Sequence, residues 1–189
     1  MAKLTEVRWH GRGGQGAKTA GYILAIAAAE AGSNIQAFPD YGAERRGAPM
    51  RSYMRISDAP IRLRSGVKTP QVVVVLDATL LGSEDVTAGM ADDALIIINT
   101  PLAPDEVRGQ LKNQKVKVAT VDATGISQEA IGRAIPNTPM LGALAKLTDV
   151  VTLDGAKAGA RKQLGEKLAP AVIEANMKAI ERAYEEVKV

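Results

Sequence analysis

His10-Gly11-Arg12-Gly13-Gly14-Gln15-Gly16-Ala17-Lys18-Thr19 sets four glycines within six positions, between an alternating run and a long apolar helix pattern. Glycine accepts positive φ and lets another backbone or a ligand approach closely. A glycine turn that opens a helix also aims free amides outward, which suits an anion. Such a turn is expected to reject side chains at Gly13 and Gly14.

Two phosphate motifs nearly fit this stretch. Gly11, Gly13 and Gly16 match the dinucleotide spacing G-x-G-x-x-G, which calls for an acidic residue roughly 20 positions on, at the end of the next strand. Asp40 is the nearest candidate and lies beyond Pro39. The P-loop pattern fails because Ala17 separates Gly16 from Lys18, and one inserted residue turns the lysine about 100° around a helix of roughly 3.6 residues per turn. A dinucleotide site, another anion site and a tight turn that binds nothing all stay open on these residues.

Upstream, Val7 and Trp9 alternate with Glu6, Arg8 and His10, which predicts a first strand. Downstream, Ala20, Ile23, Leu24, Ala27, Ala28 and Ala31 recur at helical spacing until Gly32. Asn34–Phe38 follows as a short strand, then a loop from Asp40 to Pro49. Met50–Ser57 and Ile61–Arg64 alternate strongly around Asp58-Ala59-Pro60 and are expected to pair as an antiparallel hairpin. The apolar runs Val72–Leu76, Leu95–Asn99 and Val116–Val121 predict strands buried on both faces of a parallel sheet. Short helices are expected near Val86–Met90 and Pro104–Leu111. The last third reads as helices over Ser127–Ala134, from Thr138-Pro139 through Thr148, over Lys157–Leu168, and from Pro170 to the end. In the final helix Ile173, Met177, Ile180, Tyr184 and Val187 form one apolar stripe. The fold class that follows is α/β: three-layer and Rossmann-like, with a largely parallel sheet, an antiparallel hairpin and a helical C-terminal third. Residues 1–189 read as a single domain.

Ligands on such sheets sit beyond the carboxyl ends of the strands. The glycine turn, the Tyr41–Gly47 loop and Asp77 all belong to that edge.

Cysteine is absent and His10 is the sole histidine. No disulfide, thiolate metal site, iron–sulfur cluster or cysteine nucleophile can be built from this chain. A serine triad would need His10, whose place among glycines at a strand end suits a structural role better. No apolar run reaches membrane-spanning length, and the N-terminus lacks a signal-like stretch. The expected location is the cytoplasm, with no membrane or nucleic-acid partner.

Charge is uneven. Residues 41–68 hold Arg45, Arg46, Arg51, Arg55, Arg62, Arg64 and Lys68 against Glu44 and Asp58, a local +5 on a chain of net +3, so the rest sums to −2. This points to an anionic ligand or an acidic partner surface.

Three stretches in this order resemble the gamma subunit of the pyruvate and related 2-oxoacid:ferredoxin oxidoreductases. They are Gly11-Arg12-Gly13-Gly14-Gln15-Gly16, Tyr41-Gly42-Ala43-Glu44-Arg45-Arg46-Gly47-Ala48-Pro49 and Asn137-Thr138-Pro139-Met140-Leu141-Gly142-Ala143. The resemblance spans nearly the whole chain. It implies a non-redox component, inactive alone, that covers the active site and helps bind coenzyme A. It also implies thiamine diphosphate and iron–sulfur clusters on the alpha, beta and delta subunits, with ferredoxin met indirectly. The residues it marks for cofactor contact are Gly11, Arg12, Gly13, Gly14, Gln15, Gly16, Tyr41, Glu44, Arg45 and Arg46, with no catalytic or metal-binding residue. Arg45 and Arg46 could fork onto phosphate oxygens. The same pair with Glu44 could instead bridge to a neighbouring subunit.

Overall fold

The first strand, β1 (Leu4–Arg12), runs through the middle of a six-stranded sheet in a computed structural model that describes residues 3–40, 47–165 and 167–189. The other strands are β2 (Asn34–Asp40), β3 (Pro49–Ser57), β4 (Val72–Val75), β5 (Leu95–Asn99) and β6 (Lys117–Val121), in the order β2-β3-β1-β4-β5-β6. β1, β4, β5 and β6 are parallel, and β3 runs antiparallel to both β1 and β2. The mixed α/β fold therefore matches the class read from the sequence.

The hairpin partner differs from expectation. β3 pairs with β2, from Asn34 opposite Ser57 to Asp40 opposite Arg51, and with β1 along its other edge. Both edges of β3 are thus occupied, and the four-residue run Ile61–Arg64 has no ladder to join. It is irregular; Arg62, Leu63 and Arg64 are exposed, and Gln36 Nε2 donates to the Leu63 carbonyl at 2.9 Å.

One face of the sheet carries the helices. These are α1 (Ala17–Glu30), α3 (Ala123–Ile131), α4 (Asn137–Leu147), α5 (Leu153–Gly165) and α6 (Pro170–Glu186). Val7, Trp9, Val74, Leu76, Ile97 and Val121 pack against them. α3 starts at Ala123, earlier than expected, because the Asp122 carboxylate accepts from the Gly125 amide at 2.8 Å and caps the helix. The α6 stripe holds at its centre, where Met177 and Ile180 are buried against α4, while Val187 falls just past the helix in extended backbone.

The opposite face is covered by thinner pieces: α2 (Pro104–Arg108), a 3-10 turn at Ala78–Gly82 and the segment after it. No helix forms at Val86–Met90. Asp85 Oδ1 accepts from both the amide and the hydroxyl of Thr87, at 3.1 and 2.7 Å, and this local turn competes with helical bonding. No helix among the described residues is long and apolar enough to cross a membrane.

β1 itself departs from a simple alternation. Its polar side is buried as completely as its apolar side: Glu6, Arg8 and His10 are 8, 5 and 1% exposed. A central strand with neighbours on both sides and chain over both faces has no solvated face. Its charged groups are therefore hydrogen-bonded. Arg55 Nε on β3 donates to Glu6 Oε1 at 2.7 Å, and the Arg8 guanidinium donates to the Val86 and Ala88 carbonyls at 3.0 and 2.8 Å.

Candidate functional site

Three stretches far apart in the chain meet at the C-terminal edge of β1. The glycine turn follows β1 directly. Gly47-Ala48-Pro49 enters β3 beside it, where Arg12 lies opposite Pro49 and the Gly13 amide donates to the Ala48 carbonyl at 3.2 Å. Asn137, first residue of α4, donates from Nδ2 to the Gly16 carbonyl at 3.4 Å. Tyr41, Glu44, Arg45 and Arg46, read as site residues, lie outside the described residues.

The turn is built by its glycines, though not quite where expected. Positive φ falls at Gly14 (99°) and Gly16 (82°), and Gly13 is not among the positive-φ residues. Gly14 is exposed with open space around a would-be side chain, whereas a Cβ on Gly16 would meet Asn137 Nδ2 at 2.4 Å. Gly16→Ala is therefore expected to destabilise by about 1–3 kcal/mol from backbone strain alone. It should cost more than Gly14→Ala, which adds strain without a clash. Urea midpoints of the two variants check this order.

Gly16 is also the residue before α1, and no side chain caps that helix. The first-turn amides of a helix have no partner within it, and α1 has no acidic residue in its first turn. The helix dipole and the amide dipoles therefore favour an anion outside Gly14–Gly16. Gly11 is buried inside β1, and its Cβ would meet Leu76 Cδ1 at 3.2 Å, so its role is packing. Arg12 and Gln15 turn toward Asp77 rather than outward. On the helical side of the turn is a cleft of about 470 Å³, lined by Gly14, Gly16, Asn137 and Thr138 and by apolar residues that include Leu164 and Leu168. Amides for a charged group and an apolar wall for an uncharged one are thus adjacent.

The local basic excess is smaller in space than in sequence. Arg55 is 1% exposed and paired with Glu6. Arg51 is half-exposed and lies 3.5 Å from Glu84 Oε2. Arg62, Arg64 and Lys68 are exposed on the irregular segment after β3.

His10 is structural, as its setting suggested. Arg8 Nε donates to its Nε2 at 3.0 Å, so the proton sits on Nδ1, which faces Glu84 Oε2 at 3.4 Å. Burial first, then the charges of Arg8 and Arg51, push its pKa down to about 3. A histidine neutral in the fold and free to protonate when unfolded removes stability as pH falls below about 6.5. Between pH 7 and pH 5 this group is expected to remove about 2 kcal/mol. His10→Gln should flatten that part of the stability–pH profile in denaturant titrations.

The dinucleotide reading loses ground on topology. In a dinucleotide fold the strand after the glycine helix lies beside the first strand, and its terminal acid reaches the ribose. Here β3 lies between β1 and β2, which moves Asp40 one strand spacing, about 5 Å, further away. The Tyr53 hydroxyl already donates to Asp40 at 2.9 Å. Among the described residues, no group of three or more acidic or histidine side chains could hold a metal ion.

Residues 6–186 match the model of the pyruvate ferredoxin/flavodoxin oxidoreductase family. The chain belongs to that family. Within it the chain is a gamma-type subunit. It is 50% identical to the pyruvate synthase subunit PorC of Thermotoga maritima, over 98% of this chain and 96% of that one. It is 47% identical to the pyruvate/ketoisovalerate oxidoreductases common subunit gamma of Thermococcus kodakarensis, over 98% of both chains. The crystal structure of the pyruvate oxidoreductase subunit PORC from Thermotoga maritima superposes with a TM-score of 0.87 at 45% identity, over 98% of both chains. Sequence spacing singles out neither Thr79 nor Glu84, which the fold brings to Arg12 and to His10 and Arg51.

Proposed function

We propose that this chain is the non-redox gamma component of a cytoplasmic pyruvate or related 2-oxoacid:ferredoxin oxidoreductase. The reaction converts a 2-oxoacid, coenzyme A and oxidised ferredoxin into acyl-coenzyme A, carbon dioxide and reduced ferredoxin. The chain covers the active site and supplies part of the coenzyme A site. The observation that carries this reading is the meeting of the glycine turn, Gly47-Ala48-Pro49 and Asn137 at one sheet edge, beside an uncapped helix N-terminus.

Coenzyme A brings phosphate anions and a long uncharged arm. The amides around Gly14 and Gly16 suit a phosphate. Arg45 and Arg46 add charge from the chain just before Gly47. The family resemblance puts thiamine diphosphate and iron–sulfur clusters on the alpha, beta and delta subunits, and the lack of cysteine in this sequence agrees with that for the clusters.

Affinity purification of the tagged chain from its native extract tests the assignment. Alpha-, beta- and delta-type subunits should co-purify, and the assembled complex should reduce ferredoxin with a 2-oxoacid and coenzyme A. The isolated chain should be inactive with any 2-oxoacid. Turnover by the chain alone, or purification without those subunits, would overturn the reading.

A further inference from the structure

Arg12 lies in the glycine motif, and a guanidinium there invites assignment as an anion contact. Three of its five N–H donors are committed elsewhere. Nε donates to Asp77 Oδ2 at 3.1 Å, one terminal nitrogen to the Gly47 carbonyl at 3.2 Å, and the other to Thr79 Oγ1 at 2.9 Å. Asp77 accepts in addition from Gln15 Nε2 at 2.8 Å and from the amide and hydroxyl of Thr79 at 3.0 and 2.6 Å. Gln15 Oε1 accepts from the amide of Arg12 at 2.7 Å, which closes a ring. The ring ties the end of β1, the residues after β4 and the entry to β3. The Gly13 amide, donating to the Ala48 carbonyl, seats the glycine turn on the same stem.

We propose that Arg12 and Asp77 are positioning residues: together they fix Gly47-Ala48 against the glycine turn, and so hold the turn's amides in the geometry that binds an anion. The proposal rests on the coenzyme A reading above. It makes an acidic residue necessary for anion binding, which charge alone would not do. A carboxylate beside an anion site repels the ligand, so Asp77 can favour binding only through the geometry it imposes. Asp77 has the means to do so. Although burial opposes its charge, hydrogen bonds from Thr79 and Gln15 and the nearby Arg12 hold its carboxyl below the usual range.

The test uses the assembled complex, with the kinetics of coenzyme A and deuterium exchange of the peptide containing Gly13. Asp77→Asn is expected to raise the KM for coenzyme A by about tenfold with kcat little changed, the size of one lost charge-assisted hydrogen bond. Arg12→Ala should do the same, and the double variant should be no worse than the worse single one, because the two act as one unit. Arg12→Lys should not rescue, since a point charge cannot span three acceptors. Gly13 exchange should accelerate in each variant. A direct Arg12–anion contact gives the opposite sign: Asp77→Asn would free the arginine, remove a repulsive charge and lower the KM. That result overturns the proposal, as does a loss of thermal stability with KM unchanged. Arg45→Ala with Arg46→Ala is the control for the parent reading. A KM effect there without one in Asp77→Asn overturns the positioning role alone. No KM effect in either variant overturns the parent reading, and Gly13 exchange in Asp77→Asn then decides whether the ring holds the turn.

Discussion

Glu6→Ala is expected to destabilise the protein by about 3–5 kcal/mol, because it strands a buried charge. Arg55 is 1% exposed, and its Nε donates to Glu6 Oε1 at 2.7 Å. Its other nitrogens reach Gln36 Oε1 at 2.8 Å and the Gly66 carbonyl at 3.3 Å, neither of which carries a compensating negative charge. The Phe38 ring, 5.8 Å from the guanidinium carbon, completes the surroundings. Removing the carboxylate leaves a cation in a site that water reaches poorly. On a domain whose total stability is of the order of 5–15 kcal/mol, this is a large fraction. The melting temperature should fall by roughly 6–20 °C at this chain length. A second variant separates the charge from the packing. Glu6→Met with Arg55→Met removes both charges and keeps most of the volume, and should recover much of the loss. Calorimetry on both variants checks the pair, and an equal loss in the single and the double would assign the effect to packing.

The same ion pair shows where the sequence stops being readable. Glu6, Arg8 and His10 alternate with Val7 and Trp9, and alternation alone reads as a half-exposed strand. Whether the polar half meets solvent depends on what lies over it. Residues 84–88, some 75 positions later, cover Arg8 and His10. Arg55 counts toward a basic surface in sequence for the same reason, since its partner Glu6 is known only once β3 is placed against β1. Turn chemistry at Asp58-Ala59-Pro60 is a local signal for a hairpin, whereas β3 is claimed by two longer ladders. The elements decided by local chemistry were legible. α1 follows from the glycine turn and the apolar period after it, and α6 from Pro170 and its stripe.

The candidate site was legible in its parts and not in its division of labour. The three motifs are visible as sequence, and the fold joins Gly11–Gly16, Gly47-Ala48-Pro49 and Asn137 at the end of β1. Gly11 through Gly16 form one motif but do different work. Gly14 and Gly16 shape the turn, Gly11 packs on Leu76, and Arg12 and Gln15 bind Asp77. No spacing rule separates a ligand-facing arginine from an inward one four residues from the same helix. The partner that decides it, Asp77, comes 65 residues later.

Replacing both Arg45 and Arg46 by alanine is expected to raise the apparent KM for coenzyme A by roughly tenfold or more, with the 2-oxoacid KM little changed. The pair immediately precedes Gly47, whose carbonyl is held by Arg12 at the edge of β1. Arg51 and Arg55, the next two arginines in the chain, already face Glu84 and Glu6. The local excess that motivates an anion partner therefore rests more heavily on Arg45 and Arg46 than the bare count suggests. A charge-assisted hydrogen bond contributes about 1.5–3 kcal/mol, and each 1.4 kcal/mol is tenfold in affinity. Arg→Lys keeps the charge and loses the planar fork, so the lysine variants should fall between wild type and alanine if the fork matters. Salt supplies the second axis. A bridge to a neighbouring subunit predicts that the double alanine variant dissociates on gel filtration, most readily at high ionic strength, where exposed charge pairs are screened. A phosphate contact predicts an intact complex with weakened coenzyme A binding. Intact assembly with unchanged coenzyme A dependence would dispose of both roles and return the anion site to the amides of the glycine turn alone.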